Sequence, residues 1–231
     1  MRSARAVFVK QAKDMIKNPV ALIPFLLFPA VALIMTLFVA KGNDDIPDNL
    51  FVTMMSAIFA GFALLQSSAA AISEDIEKKS LRFLVMAGVK PHQYLLGVGG
   101  FILTAGTVAS VIFGIIGGFS GMDFVKFIAA MITSAVASVT LGASIGMVSK
   151  NQQAAAAMAM PAAVIFGFTP MIASFNKTVE KVAGVLYTQQ LNVIVNDFSG
   201  NFVKAMTVIG VNIAVLLLLI TLAYRKKGLK G

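Results

Sequence analysis

Long apolar stretches alternate along this chain with short gaps that hold nearly all of its charged residues. Six stretches of 20 or more residues contain no charged side chain. Each is long enough for the roughly 20 helical residues that cross the hydrocarbon core of a bilayer. The six predicted spans are 18–40, 49–73, 91–122, 127–149, 151–176 and 205–224.

Composition supports a membrane protein and excludes a soluble domain. Hydrophobic residues make up 58% of the chain, charged residues only 13%, and the mean hydropathy is +0.87. The apolar runs are continuous rather than alternating, which favours helices over the strands of a transmembrane barrel. The sequence therefore predicts one all-α membrane domain with six transmembrane helices over residues 1–231.

The chain is poor in residues that catalyse reactions or bind metals. It has no cysteine and a single histidine, His92, which falls in a predicted loop. No ionisable residue lies well inside a predicted span, whereas ion-coupled carriers and intramembrane proteases need such groups at depth. We therefore predict no catalytic residue, no metal site and no enzymatic activity.

The distribution of basic residues predicts the orientation. With the amino terminus inside, 14 Lys and Arg residues fall in inside segments and 5 in outside segments. An excess of basic residues marks the cytoplasmic face, so both termini are predicted to be cytoplasmic in a multi-pass protein of the cytoplasmic membrane. Contact with an anionic leaflet explains the net charge of +9 without a nucleic-acid partner.

Residues 1–19 are predicted to form an amphipathic helix that lies in the membrane interface. A helical wheel places apolar and basic residues on opposite sides, and Asn18-Pro19 then ends the helix. A basic flank without fixed structure is the alternative. The apolar side holds Ala4, Val7, Phe8, Ala12 and Met15, and the basic side holds Arg2, Arg5, Lys10, Lys13 and Lys17.

A second short helix is predicted between the second and third spans, over residues 74–90. Ser73 followed by Glu74 and Asp75 is typical of a helix start, and Gly88 before Pro91 is typical of a helix end. Between them, apolar residues recur at helical spacing, at Leu81, Leu84, Val85 and Val89.

This loop resembles a segment of ABC-2 type transporter permeases. The matching residues are the run from Glu77 to Leu84, then Pro91, and Tyr94 to Gly97, although Ser80 stands where glycine is common and Val98 where lysine is common. The resemblance implies that the loop is a coupling helix that docks on a nucleotide-binding subunit. The coupling residues it implies are Glu74, Glu77, Lys78, Ser80, Leu81, Arg82 and Leu84.

The resemblance also implies the partners. The chain has no phosphate-binding G-x-x-x-x-G-K-[ST] motif, so ATP and Mg are expected in a separate ABC ATPase. Six spans are half of a transporter that combines two permeases and two ATPase subunits, with lipid around them. The second permease is a further copy of this chain or a related one.

Small residues recur every four positions in the third and fourth spans, where they let helix backbones approach closely in lipid. We predict that these two spans form a tight antiparallel hairpin. The small residues are Gly106, Ser110, Gly114 and Gly118 in the third span, and Ser134, Ser138, Gly142 and Gly146 in the fourth.

The resemblance implies that the second and fifth spans line the translocation path. The candidate lining residues are aromatic or neutral polar, and ordinary helix packing is the alternative for each of them. They are Phe59, Phe62, Gln66, Phe166 and Thr169.

A path without fixed charge suits apolar or amphipathic cargo, such as a peptide, a toxin, a lipid or a drug. The chain is similar to small bacterial permeases that export antimicrobial peptides or phenol-soluble modulins. The resemblance implies that residues 174–201 form an external re-entrant segment that caps the exit. The predicted function is thus ATP-driven export, and a non-transporting membrane immunity or accessory protein is the alternative.

Overall fold

A computed structural model describes residues 2–43 and 45–227, and the described part is mainly helical, without strands. Lys230, one of the basic residues counted above, lies outside the described residues. The helices are α1 (Arg2–Lys17), α2 (Ile23–Met35), α3 (Leu50–Ile58), α4 (Leu64–Glu77), α5 (Ser80–Met86), α6 (Pro91–Ile116), α7 (Gly121–Val148), α8 (Gln152–Ala173), α9 (Lys177–Ala183), α10 (Tyr187–Asn196) and α11 (Phe202–Lys227).

Six helical segments in the described residues are long and apolar enough to cross a membrane. A π-helical turn, Thr36–Ala40, extends α2, and another, Phe59–Ala63, joins α3 to α4 in one span. The predicted all-α membrane fold with six spans is confirmed. The spans are Ile23–Ala40, Leu50–Glu77, Pro91–Ile116, Gly121–Val148, Gln152–Ala173 and Phe202–Thr221.

The turn between the third and fourth spans differs from the prediction. Gly118 has φ +66°, and the amides of Gly118 and Phe119 bond back to the carbonyls of Ile115 and Gly114. These are the two hydrogen bonds of a Schellman helix end, which needs a left-handed residue that glycine adopts without strain. Gly118 therefore ends α6 rather than packing against the fourth span.

The small-residue row of α7 packs mainly on the second span. A Cβ at Gly142 would lie 2.2 Å from the Leu65 carbonyl oxygen, and one at Gly146 would lie 2.8 Å from that of Ala69. The Ser138 hydroxyl donates to the carbonyl of Ala60 at 2.5 Å.

The third span still contacts the fourth, but through fewer of the predicted residues. A Cβ at Gly114 would contact Phe124 and Phe127 of α7, whereas one at Gly106 would contact Leu64 of α4. Ser110 bonds within α6, and Ser134 is buried without a hydrogen-bond partner for its hydroxyl. The hairpin forms, but the predicted pairing of the two rows is wrong, because α4 packs between them.

The second and fifth spans cross at two glycines. A Cβ at Gly61 would lie 2.5 Å from the backbone of Phe166, and one at Gly167 would lie 2.9 Å from the Cβ of Phe62. The π-helical turn Phe59–Ala63 contains this crossing, and such turns are frequent at functional sites.

The two ends of the bundle carry different short helices. Following the predicted orientation, we call the end with α1 and α5 the inner end. At this end α1 packs on the start of α6, and α5 follows α4. We call the opposite end, with α9 and α10 between α8 and α11, the outer end.

Candidate functional site

The loop between the second and third spans is shorter than predicted, because α4 continues through Glu77. Ser73 is buried, and its hydroxyl bonds back to the Ala70 carbonyl at 3.0 Å instead of capping a new helix. The predicted helix start at Ser73 is therefore wrong: Glu74 and Glu77 lie on the last turn of the second span.

Left-handed residues define both ends of the loop helix. Lys79, with φ +60°, separates α4 from α5, which begins at Ser80. Gly88, with φ +80°, follows the end of α5, and the amides of Gly88 and Val89 bond to the carbonyls of Val85 and Leu84. This Schellman motif agrees with the predicted helix end at Gly88.

The two faces of α5 have different surroundings. Leu81 is only 2% exposed and belongs to the core of the bundle, with Leu84 packed against that core. Arg82 lies on the opposite face, beside Phe83 and Met86, which are 67% and 74% exposed. Leu81 therefore anchors α5. Phe83 and Met86, which the sequence analysis did not select, form the exposed face of this helix.

Asp75 is the centre of the inner end. It is 3% exposed, and its carboxylate accepts four side-chain hydrogen bonds. Together they tie α1, α5 and α6 to the end of α4. Lys10 and Ser80 donate to Oδ1 at 2.5 and 2.6 Å, and Gln11 and Tyr94 donate to Oδ2 at 3.0 and 2.9 Å.

The ion pair between Lys10 and Asp75 fixes the charge of the lysine. Burial disfavours the ammonium, but the hydrogen bond and charge of Asp75, with a smaller contribution from Asp14, raise the pKa of Lys10 above its ordinary value. Asp14 lies 3.1 Å from the same ammonium, but it is on the exposed side. Lys10 thus points towards the bundle, although the helical wheel placed it on the basic outer side.

Asp75 was missed as a site residue because its neighbours suggested a solvated helix start. The available signal was the helical spacing of Ile72 and Asp75, which share the buried face of α4. Three of the four donors come from distant positions in the sequence, so the pattern around Asp75 could not identify them.

Glu77 and Glu74 also have partners within the chain. The Glu77 carboxylate accepts a hydrogen bond at 2.8 Å from the amide of Gln152, the first residue of α8. A carboxylate at a helix start is favourable because it satisfies a free amide and faces the positive end of the helix dipole. Glu74 pairs locally with Lys78, so of these two acidic residues only Glu77 connects separate spans.

A helix, α1, lies where the sequence predicts the amino-terminal interfacial helix, and it packs closely on the third span. A Cβ at Gly97 would lie 2.6 Å from the Cβ of Val7, which is fully buried. The rings of Phe8 and Phe101 meet edge to face at 5.5 Å. This contact holds α1 against the bundle in addition to the Asp75 hydrogen bonds.

A cleft of about 260 Å³ opens at the inner end, between the start of the first span and the second span. Its lining includes apolar side chains, among them Met15, Phe101 and Ile102. It also includes polar side chains, among them Gln66 and Glu74. Gln66, a candidate path residue, thus lines this cleft.

The other candidate path residues have varied surroundings. Phe59 is fully buried between Phe25, Phe28 and Phe113, which favours the packing alternative. Phe62 and Thr169 are partly buried. Phe166 stacks on Tyr187 of α10 at 4.9 Å, and the Tyr187 hydroxyl lies 2.8 Å from that of Ser138. These last contacts connect the outer-end helices to the middle of the bundle.

Comparison with known proteins identifies the family of this bundle. No curated protein gives a significant match to the chain. The family model of ABC-2 type transporters matches residues 2–187, from α1 to the first residue of α10. Domains of this family are the membrane components of transporters that work with an ABC ATPase. The chain belongs to the ABC-2 type transporter family.

Proposed function

We propose that this permease is half of an ATP-driven exporter and that an ABC ATPase docks on the exposed face of α5. The observation that carries the proposal is the pairing of an exposed surface at Arg82, Phe83 and Met86 with a buried anchor at Leu81. Exposed apolar side chains beside basic residues are typical of a protein interface at the level of the membrane surface.

The hydrogen bonds beneath α5 supply a mechanical connection from that surface to the spans. Ser80, at the start of α5, bonds to Asp75, which holds α1 and the third span. Glu77 connects the same loop to the start of the fifth span. A push on α5 is therefore transmitted to several spans at once, because several hydrogen bonds connect this loop to them.

The chemical energy comes from ATP and Mg bound by the partner ATPase. Two permeases and two ATPases form the complete exporter, with the second permease a further copy or a related chain. The fifth span presents an apolar surface that a second permease can cover, since Met158, Ile165 and Ile172 are exposed along it. Closure of the ATPases then rocks the two halves between inward-open and outward-open states.

The cargo enters from the inner side, where the cleft at the inner end combines apolar side chains with amide and carboxylate groups. This mixture fits an amphipathic molecule, such as a peptide, toxin, lipid or drug, better than a small ion. Residues 174–201, with α9 and α10, cap the exit as re-entrant elements. The inner end is then cytoplasmic, with both chain termini in the cytoplasm of a bacterium.

Co-purification with a candidate ABC ATPase tests the proposal. The permease is expressed with the ATPase as wild type and as the variant F83A/M86A. Loss of two apolar side chains that the ATPase covers should weaken the complex by at least about tenfold. The matched control is M122A/V125A, which removes two exposed apolar side chains at the outer end.

A wild-type complex that is lost in F83A/M86A and kept in the control supports docking on α5. A complex that survives in both variants shows that the ATPase binds elsewhere and that Phe83 and Met86 face lipid. If no ABC ATPase binds the wild type, the immunity or accessory role replaces export.

A further inference from the structure

A polar pocket of about 410 Å³ lies at the outer end, between α9, α10 and the start of α11. Its volume is in the range of ligand-binding pockets, about 300–1,000 Å³. Lys177 and Lys181 reach it from α9, and Lys204 reaches it from the first turn of α11. A single carboxylate, that of Glu180, shares the lining.

The three lysines are not neutralised within the described part of the chain, where every ion pair belongs to the inner end. Lys177 and Lys181 are four residues apart on one helix, a spacing at which like charges repel. Three ammonium groups around one cavity favour an anionic ligand.

Gln189 supplies a second and independent observation. Its side chain is 4% exposed and lines this pocket and the neighbouring cavity of about 440 Å³. Its Oε1 atom is buried and has no hydrogen-bond donor among the described residues. A buried acceptor without a partner is unfavourable, so a ligand that donates to it is favoured.

The neighbouring side-chain amides have acceptors within the chain. Gln190 donates to the Gly184 carbonyl at 2.5 Å, and Asn192 donates to the Pro170 carbonyl at 3.1 Å. Near Gln189 the fold therefore satisfies these amides, whereas Gln189 Oε1 and the hydroxyl of the adjacent Thr188 are buried without a hydrogen-bond partner among the described residues.

We propose that the outer-end pocket binds a phosphate ester that carries free hydroxyl groups. The phosphate neutralises the lysines, and a hydroxyl donates to Gln189 Oε1. The glycerol phosphate headgroup of phosphatidylglycerol has both groups. Phosphocholine has no such donor, and phosphoethanolamine brings an ammonium group that the lysines repel.

Lipid binding to the purified permease, measured by native mass spectrometry, tests this site without an ATPase. The wild type should bind phosphatidylglycerol at least about tenfold more tightly than phosphatidylcholine or phosphatidylethanolamine. The variants K181Q/K204Q and Q189L should lose most of this preference. K41Q is the matched control, because Lys41 lines a different pocket at the same end.

Competition with soluble glycerol 3-phosphate distinguishes the two sources of the same chemical group. Displacement shows that the headgroup suffices, and its absence shows that the acyl chains are also needed; the site stands in both cases. Equal affinity of the wild type for the three lipids would overturn it. So would a preference that survives both K181Q/K204Q and Q189L in variants with wild-type helicity by circular dichroism.

Discussion

Replacing Asp75 with asparagine should detach α1 and α5 from the bundle while preserving the shape of the side chain. The carboxylate accepts from Lys10 and Ser80 on one oxygen and from Gln11 and Tyr94 on the other. In either orientation, asparagine places its NH₂ group, which is a donor, against donors that the carboxylate oxygens accept from. The substitution also leaves the Lys10 ammonium without its buried partner.

The magnitude follows from the burial of the pair. Removing one partner of a buried ion pair costs about 3–5 kcal/mol. Lys10 retains partial exposure and its contact with Asp14, so D75N should lie near the lower limit, at about 3 kcal/mol. D14N makes the same chemical change at the exposed partner of the same lysine, and its cost should stay below about 0.5 kcal/mol.

Two measurements separate the local effect from general destabilisation. Unfolding in mixed micelles, followed by circular dichroism, gives the free-energy change. Spin labels at K13C and A87C report the distance between α1 and the end of α5, and the absence of native cysteine makes the labelling specific. In D75N the distance distribution should broaden before the spans unfold.

The reasoning is refuted if D75N is as stable as D14N and gives the wild-type distance distribution. That result would show that the buried carboxylate does not hold the inner end together. The surface of α5 would then lack the support that the proposed coupling requires.

Three further substitutions test the packing around the inner end. G142A should destabilise the fold by about 1–3 kcal/mol in micelle unfolding, because its Cβ overlaps a backbone carbonyl of the second span, whereas G210A, which meets open space, should be near neutral. G97A should release α1 and increase proteolysis within it, while G100A should not. K79G should raise the free energy of unfolding by about 0.5–1 kcal/mol, since glycine adopts φ +60° without strain; an unchanged or lower value would contradict a strained loop.

The spans were predictable because each is a strong local signal. A run of 20 apolar residues has few alternatives to a membrane helix, so existence and order agree with the sequence analysis. Boundaries agreed where a residue has a specific backbone role, as at Gly88, and were missed where tertiary contacts decided them. Ser73 and Glu74 are typical of a helix start, yet α4 continues through them because Asp75, two residues after Ser73 on the same helix, meets its donors there.

The contacts of the inner end could not be predicted because they join distant parts of the chain. Glu77 meets Gln152 across 75 positions, and the two partners of Asp75 on α1, Lys10 and Gln11, lie 65 and 64 positions away. Helical spacing placed Leu81 in the apolar row of the predicted helix. Only the packed structure shows that Leu81 faces the core while Phe83 is exposed.

The central claim is that α5 transmits ATPase motion to the spans. The most direct test measures the distance between A87C spin labels on the two permeases of the assembled exporter in lipid, without nucleotide and with ATP trapped by vanadate. The account predicts a shift in this distance when ATP is trapped, with loss of the shift in D75N. An unchanged distance in a wild-type complex that hydrolyses ATP would contradict it.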